Sequence, residues 1–335
     1  MRISYSNIQR WMECPYKWKL SYIDKIVPAR TSARVSEGAA IHNVMEGYLK
    51  SQDVTSVIDK WMGDEIKQAT DAGLMTVDLM RELEDARALA LGVGARAFDR
   101  LMDDWDVMEA SDGTPLIEIV LPYEECDIQF IGFIDVVLKH RENNSVFVVD
   151  HKTQTSFSPI EWNDGDLQLP MYIYMLRQLY GVHADGSALF QIRPRLPKQP
   201  VLLKNGTLSQ NVSSGIDWAS YQQAIRDHGL IEADYAHIQE KITYEFFRFN
   251  KIYRSEAEID ALWNDVVMPV AIRINNELKS DGSDLVRHLG TRKCPYCWYK
   301  ELCLEGLRGG DTDYIRKTQF RAKGERVTYD IQITS

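Results

Sequence analysis

Two acidic residues and a lysine stand where they could share one pocket. Asp135 closes the segment Gly132-Phe133-Ile134-Asp135, and Asp150 and Lys152 close the run Val146-Phe147-Val148-Val149-Asp150-His151-Lys152. Residues two apart on a strand point to one face, so Asp150 and Lys152 share a side. If the two segments pair as neighbouring antiparallel strands, two carboxylates and one ammonium converge. Carboxylate oxygens suit a hard divalent cation such as Mg²⁺ or Mn²⁺. Such a cation acidifies water and stabilises charge on a phosphoryl oxygen. A lysine beside it can orient or deprotonate that water. The plainer alternative for Asp-x-Lys is an ion pair on a solvated strand face. The apolar run before Asp150 speaks against it, because a charge in a buried strand needs a partner.

The cysteines make a second group. Cys14, Cys126, Cys294, Cys297 and Cys303 are the five in the chain. Cys294-Pro-Tyr-Cys297 places two thiolates for one metal centre, and five residues then lead to Cys303. Cys14, with 279 residues between it and Cys294, is the available fourth ligand. Both Cys14 and Cys294 precede proline, which stiffens a ligand loop. Zinc and an iron–sulfur cluster are both open on this spacing. Zinc ribbons commonly use two C-x2-C knuckles, and here there is one. Cys126 falls outside the pattern and reads as a core cysteine.

The 335 residues carry 39 Lys and Arg against 49 Asp and Glu, a net charge of −10. That mean argues against a broad basic surface for nucleic acid, but leaves room for a local groove. With 44% hydrophobic and 26% charged residues the composition is that of a globular protein. No apolar run is long enough for a membrane span, and no apolar stretch of a secretory signal follows Met1. An odd cysteine count fits a reducing cytoplasm. No Walker A motif occurs, so no nucleotide cofactor is expected.

The elements that must position these groups follow from patterning. Helices are expected at residues 4–20 (broken at Cys14-Pro15), 37–50, 53–69 and 77–105. Strands are expected at 116–122, 127–139 and 145–152, a meander apolar enough to be covered on both faces. A helix at about 166–180, a strand at 187–192, an irregular stretch at 194–210 and helices at 212–228 and 255–279 complete the body. Residues 24–36 read as a loop. The segmentation is 1–110, helical, with Cys14 and His42; 111–210, the sheet-bearing core; 211–310, helical, with the cysteines; and 311–335, a polar tail, partly mobile. All four belong to one compact domain.

Asp135, Asp150 and Lys152 in this context resemble the core of the PD-(D/E)XK nucleases. Asp135 matches the first acidic position, Asp150 the second and Lys152 the lysine. His42, in Glu37-Gly-Ala-Ala-Ile-His42, resembles the metal-binding histidine of the RecB-like members. Gln168 and Tyr172 resemble their Q-x-x-x-Y motif, and Ser4 through Lys17 their N-terminal motif. One early cysteine with a late C-x2-C-x5-C is similar to the iron–sulfur variant seen in AddB and the CRISPR-associated single-strand exonucleases. The second acid is aspartate where many relatives have glutamate.

The resemblance implies an α/β fold. Its restriction-endonuclease-like core is a mixed central β-sheet flanked by helices, with an α-rich N-terminal region and a C-terminal Fe–S segment. It implies Mg²⁺ or Mn²⁺ held by His42, Asp135, Asp150 and the His151 carbonyl. Asp135, Asp150 and Lys152 would be catalytic, with Gln168 and Tyr172 orienting DNA or the lysine. It implies a structural [4Fe–4S] cluster on Cys14, Cys294, Cys297 and Cys303. The expected activity is that of a metal-dependent exonuclease on single-stranded or end-exposed DNA. The expected setting is recombination, repair or CRISPR or phage DNA processing in a bacterial, archaeal or phage-infected cytoplasm, with a helicase or recombination partner. Glu118 and Glu46 are further acids near this set. DNA contacts are expected from Arg193, Arg195 and Lys198, from Lys293, Lys300 and Arg308, and from stacking on Tyr296, Trp298 or Tyr299. The competing readings are a non-catalytic DNA-binding assembly subunit with a vestigial core, and a zinc-stabilised structural protein.

Overall fold

The computed structural model describes residues 1–29, 35–157, 159, 165–212, 215–280 and 285–323. The chain opens with helices α1 (Tyr5–Glu13) and α2 (Pro15–Tyr22), separated by Cys14 in extended conformation. Pro15 lacks an N–H and so sits comfortably at the first helical position. Strand β1 (Ile26–Pro28) follows, then helices α3 (Glu37–Leu49), α4 (Val54–Asp71) and α5 (Val77–Met102). Ser36, Asp53 and Thr76 cap these three by accepting from backbone amides of the first turn.

The sheet is built from β2 (Trp105–Val107), β3 (Ile117–Glu125), β4 (Ile128–His140) and β5 (Val146–Thr153). Helix α6 (Gln168–Tyr180) crosses to β6 (Gly186–Ile192). Helices α7 (Trp218–Asp227) and α8 (Ala236–Gln239) lead to β7 (Phe247–Tyr253). The strand order is β2-β4-β5-β6-β7, with β3 also paired to β4. β5 and β6 are parallel, as the crossover through α6 requires, and the remaining pairs are antiparallel. The sheet is therefore mixed and flanked by helices, as expected.

One apolar layer joins Val146, Val148 and Ile134 to α1, α6 and the C-terminal helices. The other joins Phe147, Val149, Ala188 and Phe190 to α3 and α5. This double cover accounts for the unbroken apolar run of β5. Helix α3 approaches α5 closely at Gly94, where a Cβ would lie 2.4 Å from Val44 Cγ1.

Helix α9 (Glu256–Leu262) and helix α10 (Met268–Lys279) are joined by a π-helical turn, Trp263–Val267. The last elements among the described residues are α11 (Lys300–Arg308), α12 (Thr312–Gln319) and β8 (Phe320–Ala322), which pairs antiparallel with β1.

Several expectations change. The 24–36 loop contains β1, and the polar 311–335 segment contains α12 and β8; residues 30–34 and 324–335 lie outside the described residues. Short three-residue strands carry too little pattern to be read. β7 is paired on one edge and half-buried along its length, so its alternation is weak. The helix expected from residue 212 starts at Trp218, where Asp217 caps it. Cys126 is exposed, not in the core. With Asp127 it forms the β3–β4 turn, both residues at positive φ (51° and 59°), the signature of a tight two-residue hairpin.

Gly94→Ala should destabilise the protein by about 1–3 kcal/mol, the usual cost of overpacking a tight contact. Urea unfolding reads this directly, and an unchanged midpoint would mean that α3 and α5 do not approach as described.

Candidate active site and cysteine site

The β4–β5 ladder runs through Val136↔Val149 and stops there. At the next step the side chain of Asp135 takes over, its Oδ2 accepting from the His151 amide at 2.7 Å. The same oxygen meets His42 Nε2 on α3 at 2.9 Å, and His151 Nδ1 lies 3.8 Å away. Among the described residues, His42, Asp135 and His151 form a group whose donor atoms lie within 4.8 Å of one another. The rings of His42 and His151 face each other edge-on, 5.5 Å apart.

Asp150 stands on the other face of β5. Its Oδ2 contacts Lys152 Nζ at 2.7 Å, and its Oδ1 accepts from Gln168 Nε2 at 3.2 Å. Gln168 opens α6, and Tyr172 follows one turn later. The Tyr172 ring packs against β4 at Gly132, where a Cβ would stand 2.9 Å from Cδ1. The glycine therefore makes room for the tyrosine. Glu118 lies on β3 across from Asp135, at φ 49°, and its Oε1 is 3.8 Å from His42 Nδ1. All of Asp135, Asp150, Lys152, His42, His151, Gln168 and Tyr172 thus occupy one neighbourhood. Glu118 belongs to it as well, whereas Glu46 is engaged with Lys50. The left-handed backbone of Glu118 has no sequence signal.

The electrostatics follow from crowding acids out of water. Burial and the adjacent Asp135 charge push Asp150 up to about 6. Burial and Asp135 likewise push Glu118 up to about 7. Burial disfavours charge on Asp135 most strongly, but the hydrogen bond and charge of His42 together with His151 and its amide outweigh it and hold Asp135 below the ordinary carboxylate range. Burial opposes protonation of His42, yet Asp135, Glu118 and Asp150 together raise it to about 9. Burial keeps His151 neutral, down at about 4. Lys152 is partly desolvated, but Asp150 raises it, so it is held as an ammonium. Among the described residues His151 Nε2 is buried without a hydrogen-bond partner, and Asp150 Oδ2 has Lys152 Nζ beside it. Crowded carboxylates beside an unpartnered imidazole nitrogen suit a divalent cation, and the donors available to it are His42, Asp135 and His151, with Asp150 adjoining.

The four cysteines Cys14, Cys294, Cys297 and Cys303 line one cavity of about 390 Å³. The break between α1 and α2 presents Cys14. A short 3-10 turn, Cys294–Tyr296, presents the C-x2-C pair, and α11 carries Cys303. Cys294 Sγ lies 3.4 Å from Thr291 Oγ1, and that contact lowers its thiol pKa. Burial raises Cys303, as do the three neighbouring cysteines. The segment is pinned to the N-terminus. Arg287 lies over the Tyr16 ring at 4.1 Å, and His288 Nδ1 is 3.1 Å from the Glu13 carbonyl oxygen. Tyr299 is buried, donating to the Ile26 carbonyl at 2.8 Å and stacking on Phe320. It therefore cannot stack on a base, whereas Tyr296 (85% exposed) and Trp298 (70% exposed) are free to.

In metal-free protein, ¹H–¹⁵N spectra of the imidazoles should show His42 charged and His151 neutral at pH 7.5. The sign is set by Asp135: its negative charge favours His42 protonation, so Asp135→Asn should lower the His42 midpoint, because burial is then opposed only by Glu118 and Asp150. A His42 midpoint unmoved by that substitution would refute the contact.

The gene 69 protein of Mycobacterium phage D29 is 26% identical over 220 residues, spanning 59% of this chain and 77% of that protein. The crystal structure of a candidate exonuclease from Eubacterium rectale aligns over 88% of this chain and 87% of its own, at 10% identity and a TM-score of 0.45. The profile of the PD-(D/E)XK nuclease superfamily matches residues 2–304, so the chain belongs to that superfamily.

Proposed function

We propose that this protein is a metal-dependent deoxyribonuclease that hydrolyses phosphodiester bonds of single-stranded or end-exposed DNA as an exonuclease. The observation that carries the hydrolytic reading is Asp135 held between His42 and the His151 amide, with the Asp150–Lys152 pair on the adjoining strand. The exonucleolytic mode rests on the motif resemblance, as does a setting in recombination, repair or CRISPR or phage DNA processing with a helicase or similar partner. Among the described residues no helix is long and apolar enough to cross a membrane.

Mg²⁺ or Mn²⁺ would be held by His42, Asp135, Asp150 and the His151 carbonyl. When bound, such a cation acidifies water and offsets negative charge on a phosphoryl oxygen. The chain supplies the rest. Asp150 holds the Lys152 ammonium at 2.7 Å, and Lys152 positions the attacking water and faces the charge that grows on the phosphate. Gln168 fixes the rotamer of Asp150 through Oδ1. Tyr172, seated on Gly132, closes the pocket wall and orients the strand. Water adds to phosphorus, the bond to one sugar oxygen breaks, and that oxygen leaves with a proton.

The cysteine cavity would hold a [4Fe–4S] cluster on Cys14, Cys294, Cys297 and Cys303. A four-thiolate donor set is what such clusters take. Its role is structural: it joins residues 280 positions apart and so removes a large loop entropy from the unfolded chain.

Asp150→Asn and Lys152→Met should each lower cleavage of an end-labelled single strand by about a hundred- to ten-thousandfold, the range of a lost proton-transfer or charge-stabilising group. Oligonucleotide binding should remain. Wild-type protein that cleaves nothing with Mg²⁺ or Mn²⁺ would sink the reading. Protein purified without oxygen should be brown and carry roughly four iron and four sulfide per chain. A colourless chain with one zinc would replace the cluster by a zinc site.

A further inference from the structure

Three arginines gather at the end of the sheet beside the candidate catalytic residues. In the parallel pairing of β5 with β6, Lys152 stands opposite Gln191; in the antiparallel pairing of β6 with β7, Gln191 stands opposite Arg248. Directly paired residues share a face, so Lys152, Gln191 and Arg248 form one row on the face that carries Asp150. Two strand spacings put Arg248 about 10 Å from Lys152. Arg193 follows β6 by one residue, and its amide donates to the Phe246 carbonyl, which keeps it at the same end.

The side chains are prearranged. The Phe157 ring, just beyond β5, carries Arg193 at 4.4 Å and Arg248 at 4.8 Å. Arg193 also lies over Tyr244 at 4.6 Å, and Arg193 and Arg195 both hydrogen-bond that tyrosine. Among the described residues Arg248 is salt-bridged to Glu245, and the other two guanidiniums have no carboxylate partner. Arg193 Nε is buried without a hydrogen-bond partner there. Three guanidiniums with one carboxylate, in a chain of net charge −10, repel one another until an anion joins them. Their planar forks match phosphate oxygens.

We infer that Arg193, Arg195 and Arg248, braced on Phe157 and Tyr244, form a strip for backbone phosphates that carries the nucleic-acid strand from the Lys152 end of β5 across β6 and β7. The inference rests on the nuclease reading for its direction, but not for its test. The protein binds through this strip without any divalent cation, because the contacts are between guanidinium and phosphate.

The test is fluorescence anisotropy of a labelled oligothymidylate in EDTA, titrated from low to moderate salt. Arg193→Gln with Arg248→Gln should weaken binding about tenfold and flatten the slope of log K against log[salt] by about 1.4, roughly 0.7 per lost contact on a single strand. Arg195 is exposed, so Arg195→Gln should fold normally and flatten the slope by about 0.7. It decides the matter if the double variant misfolds. Arg81→Gln, an equal charge change on exposed α5, should leave binding as it was. Wild-type affinity and slope in the strip variants, an equal loss in Arg81→Gln, or no binding by wild type would overturn the strip. A wild type that cleaves while binding without these arginines refutes the strip and keeps the nuclease. One that binds through them but never cleaves does the reverse.

Discussion

One carboxylate oxygen holds the site together. Asp135 Oδ2 takes the His151 amide where the β4–β5 ladder ends, and it takes His42 from the opposite layer. A buried carboxylate left without such donors would be protonated or displaced, since its desolvation costs several kcal/mol. With them it stays ionised and lets two strands part without orphaning a backbone amide. Helix α3, packed on α5 through Gly94, is what brings the imidazole to that oxygen. Removing the carboxylate would cost the sheet its end and the helix its anchor together.

The acids around it are set apart by environment more than by type. Asp135 is held ionised by its donors, while Asp150 and Glu118, lacking equal support, are pushed up toward neutrality. Such a split, with a lysine fixed to one acid, is the arrangement by which one pocket holds a cation and positions water. At the other pole, the cysteine segment binds the chain's two ends. Tyr299 reaches back to Ile26, and β8 zips onto β1.

Much of this was legible in the residues. The apolar run Val146–Val149 announced a doubly covered strand, and the two-residue spacing put Asp150 and Lys152 on one face. The antiparallel neighbour carrying Asp135 followed from the short gap between the strands expected at 127–139 and 145–152. Other features had no local signal. β1 and β8 are three residues each and exist because they pair across the chain. Cys126 looked apolar in type, but its place is decided by the hairpin geometry, which needs positive φ at two positions. Tyr299 looked like a platform for bases because it neighbours Trp298 and Tyr296; only the packing of α11 on α2 and β8 shows that it faces inward while they face out.

Glu118 is the place where the sheet is least at ease. A side-chain-bearing residue in the left-handed region costs of order 1 kcal/mol or more, and a glycine would relieve it. Burial and the Asp135 charge also disfavour the ionised form of Asp150, so an amide there would escape that cost. Selection for thermal endurance alone would therefore erode this pocket first, replacing both acids. Laboratory stabilisation of the fold is best confined to the outer faces of α4, α5 and α7, where helix propensity can be raised without touching the acids.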